Sequence, residues 1–285
     1  MSAAATGGGD LSVTALYTSW TWVWGGIDGA ELLGSDEAKG VFEVTGAVLG
    51  LGRLLDRDRP RLPHSLVQRH LMIDRLLAES GARRALELAA GLSPRGARAS
   101  ADPEVEYVEL DFARMVSRKR ALLARTAEGQ AVLRRPNFRL VEGDAGRHDL
   151  EALVPGPEPV FVIAEGLCMY LQAEEQRALW RRAAELCARR PGSAFAFDLV
   201  PACEQKPPGA FGRLLERVMK ARTGGRGFER DERTREDLAR ELREAGFGPV
   251  QLLEPAGAPA AWGLPYLDEP TQMLVFHARP AGEAP

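Results

Sequence analysis

Arg84-Ala-Leu-Glu-Leu-Ala89-Ala90-Gly91-Leu-Ser-Pro94-Arg-Gly96 is an apolar run that ends in a turn of small residues. A strand that passes through Ala-Ala-Gly on its way to a helix puts a turn without bulky side chains at the carboxyl end of a parallel sheet, where a ligand can approach the backbone. Twenty positions beyond Gly91, the alternating run VEYVELD (residues 105–111) ends in Asp111. An acid at that point can accept hydrogen bonds from a ribose diol. Glu109 is the alternative acid if the strand stops earlier. Turn and acid together suggest a site for a nucleoside-containing cofactor, although such a turn alone also fits an ordinary strand-to-helix connection.

Working outward, short strand patterns alternate with helical ones. Strands are expected near residues 138–142, 160–164, 194–199, 250–253 and 272–277, and helices near 113–127, 173–190, 211–222 and 231–245. This alternation specifies a mostly parallel, doubly wound α/β sheet. The last two strands are separated by a Pro/Gly/Ala-rich loop at 254–268 with too little helix pattern for a crossover, so they should pair antiparallel. Upstream, residues 65–79 carry a helical apolar face of Leu66, Ile73, Leu76 and Leu77, with Gly81 as the stop. Helical segments containing Tyr17, Trp20, Trp22 and Trp24 fill residues 1–63. The expected division is an N-terminal helical and aromatic cap over 1–63 and a core over 64–285. An insertion at about 200–230, with Pro207-Pro208, completes a pocket. The three tryptophans serve either as a flat apolar lid over an aromatic ligand or simply as packing.

The 285 residues are 45% hydrophobic and 27% charged, which excludes a disordered chain. Thirty-seven Lys and Arg against 40 Asp and Glu give a net charge of −3, which argues against a nucleic-acid partner. Cys168, Cys187 and Cys203 form no metal-ligand pattern and fit reduced thiols, so no metal is expected. No Lys or Arg precedes Lys39, so the basic start of a signal peptide is missing, and Glu165 interrupts the apolar run at 161–171. These features predict a cytoplasmic protein without a membrane partner.

A dinucleotide site would prefer GxGxxG, whereas this turn begins with two alanines and contains Pro94. S-adenosyl-L-methionine has no phosphate. It asks for a ribose acceptor, an adenine contact, a partner for its carboxylate and anionic surroundings for its ammonium and sulfonium, and the chain offers a candidate for each.

Five motifs occur in order: Arg69-His70-Leu-Met-Ile-Asp74, LELAAGLSPRG, Tyr107-Val-Glu-Leu-Asp111-Phe with Lys119 eight residues on, Glu142-Gly-Asp144, and Ile163-Ala-Glu165-Gly-Leu-Cys-Met-Tyr170-Leu171. Together they resemble the leucine carboxyl methyltransferase family, and within it the bacterial branch that includes O-methyltransferases of polyketide biosynthesis. The resemblance implies a class I S-adenosylmethionine-dependent methyltransferase: a Rossmann-like seven-stranded α/β sheet with an antiparallel last strand, here with a helical N-terminal lid. It further implies that Arg69 meets the cofactor carboxylate, Ala89 and Gly91 approach it through their backbone, Asp111 takes the ribose, Asp144 the adenine amino group and Glu165 the ammonium. The family usually has Gly-Ala-Gly where this chain has Ala89-Ala90-Gly91, which adds a methyl group to the first position. Lys119 is expected only to fix a helix against the sheet. Of the four histidines (His64, His70, His148, His277), His70 is the first choice for a general base, and Tyr170 is a candidate lining residue of the acceptor pocket. The implied reaction is methyl transfer to a carboxyl or phenolic oxygen of a small aromatic, polyketide-like acceptor. A catalytically silent S-adenosylmethionine-binding module and a nucleotide-cofactor oxidoreductase are the alternatives, and the number of subunits is not written in the sequence.

Overall fold

The computed structural model describes residues 12–55, 60–205 and 229–282. Its seven strands are β1 (Arg84–Leu88), β2 (Glu106–Asp111), β3 (Phe138–Glu142), β4 (Phe161–Ala164), β5 (Ala194–Asp198), β6 (Phe247–Leu253) and β7 (Val275–Pro280). They form one sheet in the order β3-β2-β1-β4-β5-β7-β6. The first five strands pair parallel, and β7 runs antiparallel to both β5 and β6. The chain leaves β1 toward β2 on one side and returns to β4 on the other. That reversal opens a crevice at the carboxyl ends of β1 and β4, where α/β sheets bind ligands.

Helices cover both faces. Leu150 and Leu153 of α7 (Leu150–Leu153), Leu179 and Trp180 of α8 (Ala173–Ala188), and Leu238 and Leu242 of α9 (Arg235–Glu244) pack with Leu86, Val108 and Val162 of the sheet. On the other face lie α3 (Leu62–Ser80), α4 (Arg95–Ala99), α5 (Ala113–Leu123) and α6 (Ala127–Leu133). Burial on both faces explains why the central strands have near-continuous apolar sequences. The cap helices α1 (Ser12–Trp24) and α2 (Asp36–Leu55) pack on each other, and α1 also packs on α3.

Several boundaries differ from expectation for physical reasons. Helix α3 starts at Leu62, because Pro63 fits the first turn of a helix, where its missing N–H is no loss. The helix expected over 113–127 is two helices, since Thr126 caps α6 by accepting from the Gly129 N–H at 3.0 Å. The last strand begins at Val275, three residues later than the pattern suggested, where it pairs with Leu253. The period-two tryptophans lie on a helix, so they point to different surroundings: Trp22 is buried, while Trp24 is 45% exposed. The helix expected at 211–222 and the Pro207-Pro208 turn lie outside the described residues. Among the described residues, no helix is long and apolar enough to cross a membrane.

Candidate active site

A cavity of about 460 Å³ crosses the carboxyl ends of the strands, from Asp144 after β3 to Gln272 and Met273 before β7. Thr14, Ala15, Tyr17, Thr18 and Trp22 of α1 contribute its cap-side wall. Of the residues singled out from the sequence, Arg69, Ala89, Gly91, Asp111, Asp144, Glu165 and Tyr170 all line it.

The turn after β1 has two left-handed residues, Ala89 at φ 53° and Gly91 at φ 54°. It brings the Gly91 N–H to Asp111 Oδ2 at 2.7 Å, so the twenty-residue spacing closes as a direct hydrogen bond. The Phe112 N–H donates to the other oxygen, Oδ1, also at 2.7 Å. Each oxygen keeps acceptor capacity, and burial raises the pKa of the acid despite these two donors. Glu109, the alternative, does not line the cavity. It lies two residues back on the same strand face and is ion-paired with Lys119, whose Nζ also donates to the Ser93 carbonyl at 2.7 Å. Burial pushes the Glu109 carboxyl up to about 7 against the pull of Lys119. The pair braces α5 against β2 and the turn, and the ribose reading of Glu109 is set aside.

Arg69 projects from α3 with its guanidinium between two acids. Its Nε donates to Glu165 Oε1 at 2.9 Å and its Nη1 to Asp198 Oδ2 at 3.1 Å, which leaves the Nη2 donors and one on Nη1. Gly166, at φ 69°, lies against this guanidinium, where a Cβ would come within 3.4 Å of both terminal nitrogens. The sequence reading has Glu165 awaiting a cation from the ligand, but protein groups already hold it. Beyond Arg69, its Oε2 accepts from Arg95 Nη2 at 2.6 Å and lies 3.0 Å from His70 Nδ1. Burial alone would raise its pKa, but His70, Arg95 and Arg69 outweigh this and hold it well below the ordinary carboxylate range.

Sequence reasoning missed two members of this constellation. Arg95 is fully buried and joins three elements, donating from Nε to Asp74 at 2.6 Å, from Nη1 to Glu87 at 2.5 Å and from Nη2 to Glu165. Asp198 ends β5, lines the cavity and also accepts from the Gly166 N–H at 2.6 Å. The signal for Asp198 was present: AFAFD ends in an acid just as EYVELD does.

None of the four histidines lines the cavity. His70 is fully buried, with its ring 4.8 Å from that of Trp22 and its Nδ1 2.9 Å from Arg95 Nη2. A general base must touch the acceptor, so the structure corrects the expectation for His70: it buttresses the Glu165 cluster from behind. Tyr170 does reach the cavity, and its hydroxyl interacts with Thr14 of the cap; burial raises its pKa, so it stays protonated at neutral pH and can only donate or accept a hydrogen bond. Asp144 sits in the loop after β3, partly exposed, and its Oδ1 accepts from the Gly146 N–H at 2.8 Å.

The model of the family described as "Leucine carboxyl methyltransferase" matches residues 42–184, half of the chain. The chain belongs to the leucine carboxyl methyltransferase family. The matched stretch runs from within α2 to within α8 and contains Arg69, Ala89, Gly91, Arg95, Asp111, Asp144, Glu165 and Tyr170, but not Asp198. Among relatives, a Mycobacterium tuberculosis protein named "Putative S-adenosyl-L-methionine-dependent methyltransferase Rv3787c" is 29% identical over 86% of this chain and 77% of its own. A solved structure, "a putative methyltransferase from Thermobifida fusca", superposes with a TM-score of 0.58 at 16% identity over 97% of this chain and 96% of that one, a likeness of fold. The CcbJ methyltransferase from Streptomyces caelestis gives a TM-score of 0.50 at 19% identity over 78% of this chain and 91% of that one.

The donor set of this family member fits S-adenosyl-L-methionine. Asp111 presents spare acceptor sites beside the Gly91 backbone, Arg69 retains a pair of donors suited to a carboxylate, and the acids lining the cavity (Glu87, Asp111, Asp144, Glu165, Asp198, Glu229) outnumber its arginines (Arg69, Arg230). An anionic wall of this kind favours a cationic ligand.

Proposed function

We propose that this protein methylates an oxygen, a carboxylate in preference to a phenol, on a small aromatic molecule of the polyketide type in the cytoplasm. Its cofactor is S-adenosyl-L-methionine. When bound, that cofactor would supply a methyl group activated on a sulfonium, whose C–S bond breaks as the C–O bond to the acceptor forms, with S-adenosylhomocysteine leaving.

The observation that carries this reading is the division of the cavity into two chemically different halves. Over β3, β2 and β1 stand Asp144, Asp111 and the Ala89–Gly91 turn, the polar contacts a nucleoside needs. Over β4, β5 and the entry to β7, the wall gains an apolar cluster, Tyr17, Leu66, Met169, Leu199, Val200 and Met273, beside the polar Asp198, Gln205, Glu229, Arg230 and Gln272. Arg69 and Glu165 lie where the halves meet. The chain's own work is to bind, orient and exclude water, the main contributions to a displacement of this kind. Tyr17 and Tyr170 cannot remove a proton at neutral pH, since burial pushes the Tyr17 phenol up to about 12 and raises that of Tyr170. A carboxylate acceptor, already anionic at neutral pH, needs no base.

The test is turnover. The protein, S-adenosyl-L-methionine and a panel of aromatic carboxylic acids and phenols are incubated together, and mass spectrometry follows S-adenosylhomocysteine and the methylated product. Ester formation from acids, with a rate nearly flat from about pH 6 to 9, is expected. Methylation confined to phenols, with a rate that climbs through that range, would reverse the acceptor assignment. Tight binding of the cofactor without turnover on any acceptor would leave a binding module.

A further inference from the structure

The loop that follows β3 stands at an edge of the sheet, and its Gly143, Asp144, Ala145 and Gly146 line the cavity there. Within the loop, the Asp144 carbonyl accepts from the Arg147 N–H at 2.9 Å and the His148 N–H at 2.8 Å. A tie from outside comes from Arg182 of α8, half-buried behind the loop. Its Nη1 donates to the Ala145 carbonyl at 2.9 Å and its Nη2 to the His148 carbonyl. Two carbonyls three residues apart thus take the two terminal nitrogens of one planar fork, a match that the point charge of a lysine lacks.

The Ala145 carbonyl and the Gly146 N–H belong to one peptide unit. That unit is planar, so the direction of the carbonyl fixes the direction of the N–H. The N–H holds Asp144 Oδ1 at 2.8 Å, and a charged donor on the carbonyl polarises the unit and strengthens that bond. Among the described residues, Asp144 Oδ2 meets only Arg147 Nε at 3.7 Å, beyond hydrogen-bond reach and on a side chain 86% exposed.

We propose that Arg182 is a positioning residue for adenine selectivity: through the Ala145–Gly146 peptide it turns the Asp144 carboxylate so that Oδ2 meets the 6-amino group. This rests on the cofactor reading above and on the adenine contact that the family resemblance assigns to Asp144. Arg182 itself does not line the cavity, so its effect on a ligand passes through the loop. Burial lowers the Arg182 pKa against the pull of Asp144 and Asp149, which places the cation and both acids in one neighbourhood; the guanidinium stays charged at neutral pH.

The experiment exchanges the base and the arginine together. Calorimetry measures S-adenosylhomocysteine and S-inosylhomocysteine, in which a 6-oxo group replaces the amino donor. Each is bound to the parent protein, Arg182→Met, Arg182→Lys, Asp144→Ala and the variant with both Arg182→Met and Asp144→Ala. The parent should prefer adenine by roughly 10- to 100-fold. Arg182→Met should lower that ratio at least about fivefold, and Arg182→Lys, which keeps the charge but loses the fork, at least about threefold. In the Asp144→Ala background, Arg182→Met should change the ratio by less than about twofold, as expected of two residues that act in one chain. If Arg182→Met does not fold, Arg182→Lys carries the same comparison. Equal weakening of both ligands, with the ratio kept, would mean that Arg182 holds the fold alone and overturns the proposal. So would a ratio that falls further when Arg182→Met is added to Asp144→Ala. A parent that binds both ligands equally takes adenine away from Asp144 and overturns the proposal while the cofactor reading stands; a parent that binds neither overturns the cofactor reading itself.

Discussion

Ala89 is a non-glycine residue at φ 53° in the turn that lines the cavity, and replacing it with glycine should make the protein more stable. An L-residue pays roughly 1–2 kcal/mol to sit in the left-handed region, because its Cβ crowds the following carbonyl. Glycine avoids that cost but loses more freedom on folding, about 0.4–1 kcal/mol. The difference leaves Ala89→Gly more stable by about 0.5–1 kcal/mol, a rise of roughly 1–4 °C in the midpoint of thermal unfolding for a domain of this size. Ala90 supplies the internal control: it lies in the same turn without a positive φ, so Ala90→Gly should destabilise by about 0.5–1 kcal/mol. Urea unfolding followed by circular dichroism checks both, with an unchanged slope required for the comparison. If the two variants shift in the same direction, or Ala89→Gly lowers the midpoint, then the backbone at position 89 is not strained and this account of the turn is wrong.

Three further outcomes follow from the same geometry. Asp111→Asn keeps an oxygen for the Gly91 N–H but loses the charge proposed to meet the ribose, so S-adenosylhomocysteine should bind about tenfold or more weakly, with 5′-methylthioadenosine losing as much; equal affinities by calorimetry would remove Asp111 from the site. A Cβ at Gly96 would stand 2.3 Å from Glu109 Oε1 and 2.7 Å from the Phe138 ring, so Gly96→Ala should cost about 1–3 kcal/mol in chemical unfolding, and an unchanged midpoint would mean that α4 is free to shift. The Glu109 carboxyl has its pKa raised from 4.5 to about 7, so the stability it contributes is fully present below about pH 4.5 and is lost as pH rises through about 7. Relative to Glu109→Gln, which does not titrate, the parent's melting temperature should therefore fall between pH 5 and pH 8; a difference that stays level or grows would refute the raised value.

The centre of the sheet was legible because β1, β4 and β5 are buried on both faces. Runs such as AFAF and FVIA hold no polar residue to confuse them with surface strands, and the lack of any helix pattern between the last two strands predicted their antiparallel pairing, which the register of β6 on β7 bears out. Boundaries were less legible where one residue decides them. Pro63 reads as a break in sequence but occupies the first turn of α3, and Thr126 reads as an ordinary helix residue but caps a new one. The tryptophans misled by period: spacing of two suggests a flat row, whereas on α1 it spreads the rings around the helix, so that Trp22 alone of the three lines the cavity.

The meeting of the turn and Asp111 in one cavity was legible for a different reason: a turn of small residues and an acid at a strand end are local features, and the bond from Gly91 to Asp111 joins two adjacent strands. The buried charge cluster has no such local mark. Arg95 reads as one more surface arginine in a Pro-Arg-Gly turn, and it is placed at the centre of three acids only because α3, β1 and the end of β4 converge there. That convergence also decides how the carboxylate in the apolar run is paired. Glu165 does need cations, as the cost of burying an unpaired charge requires, but the chain itself supplies them from α3 and from the turn after β1. Two arginines neutralise Glu165, and Asp198 is left with the smaller share of Arg69. A sequence can show that a buried acid must be paired; which groups pair it depends on the direction of a guanidinium fork, and this is fixed only in the folded chain.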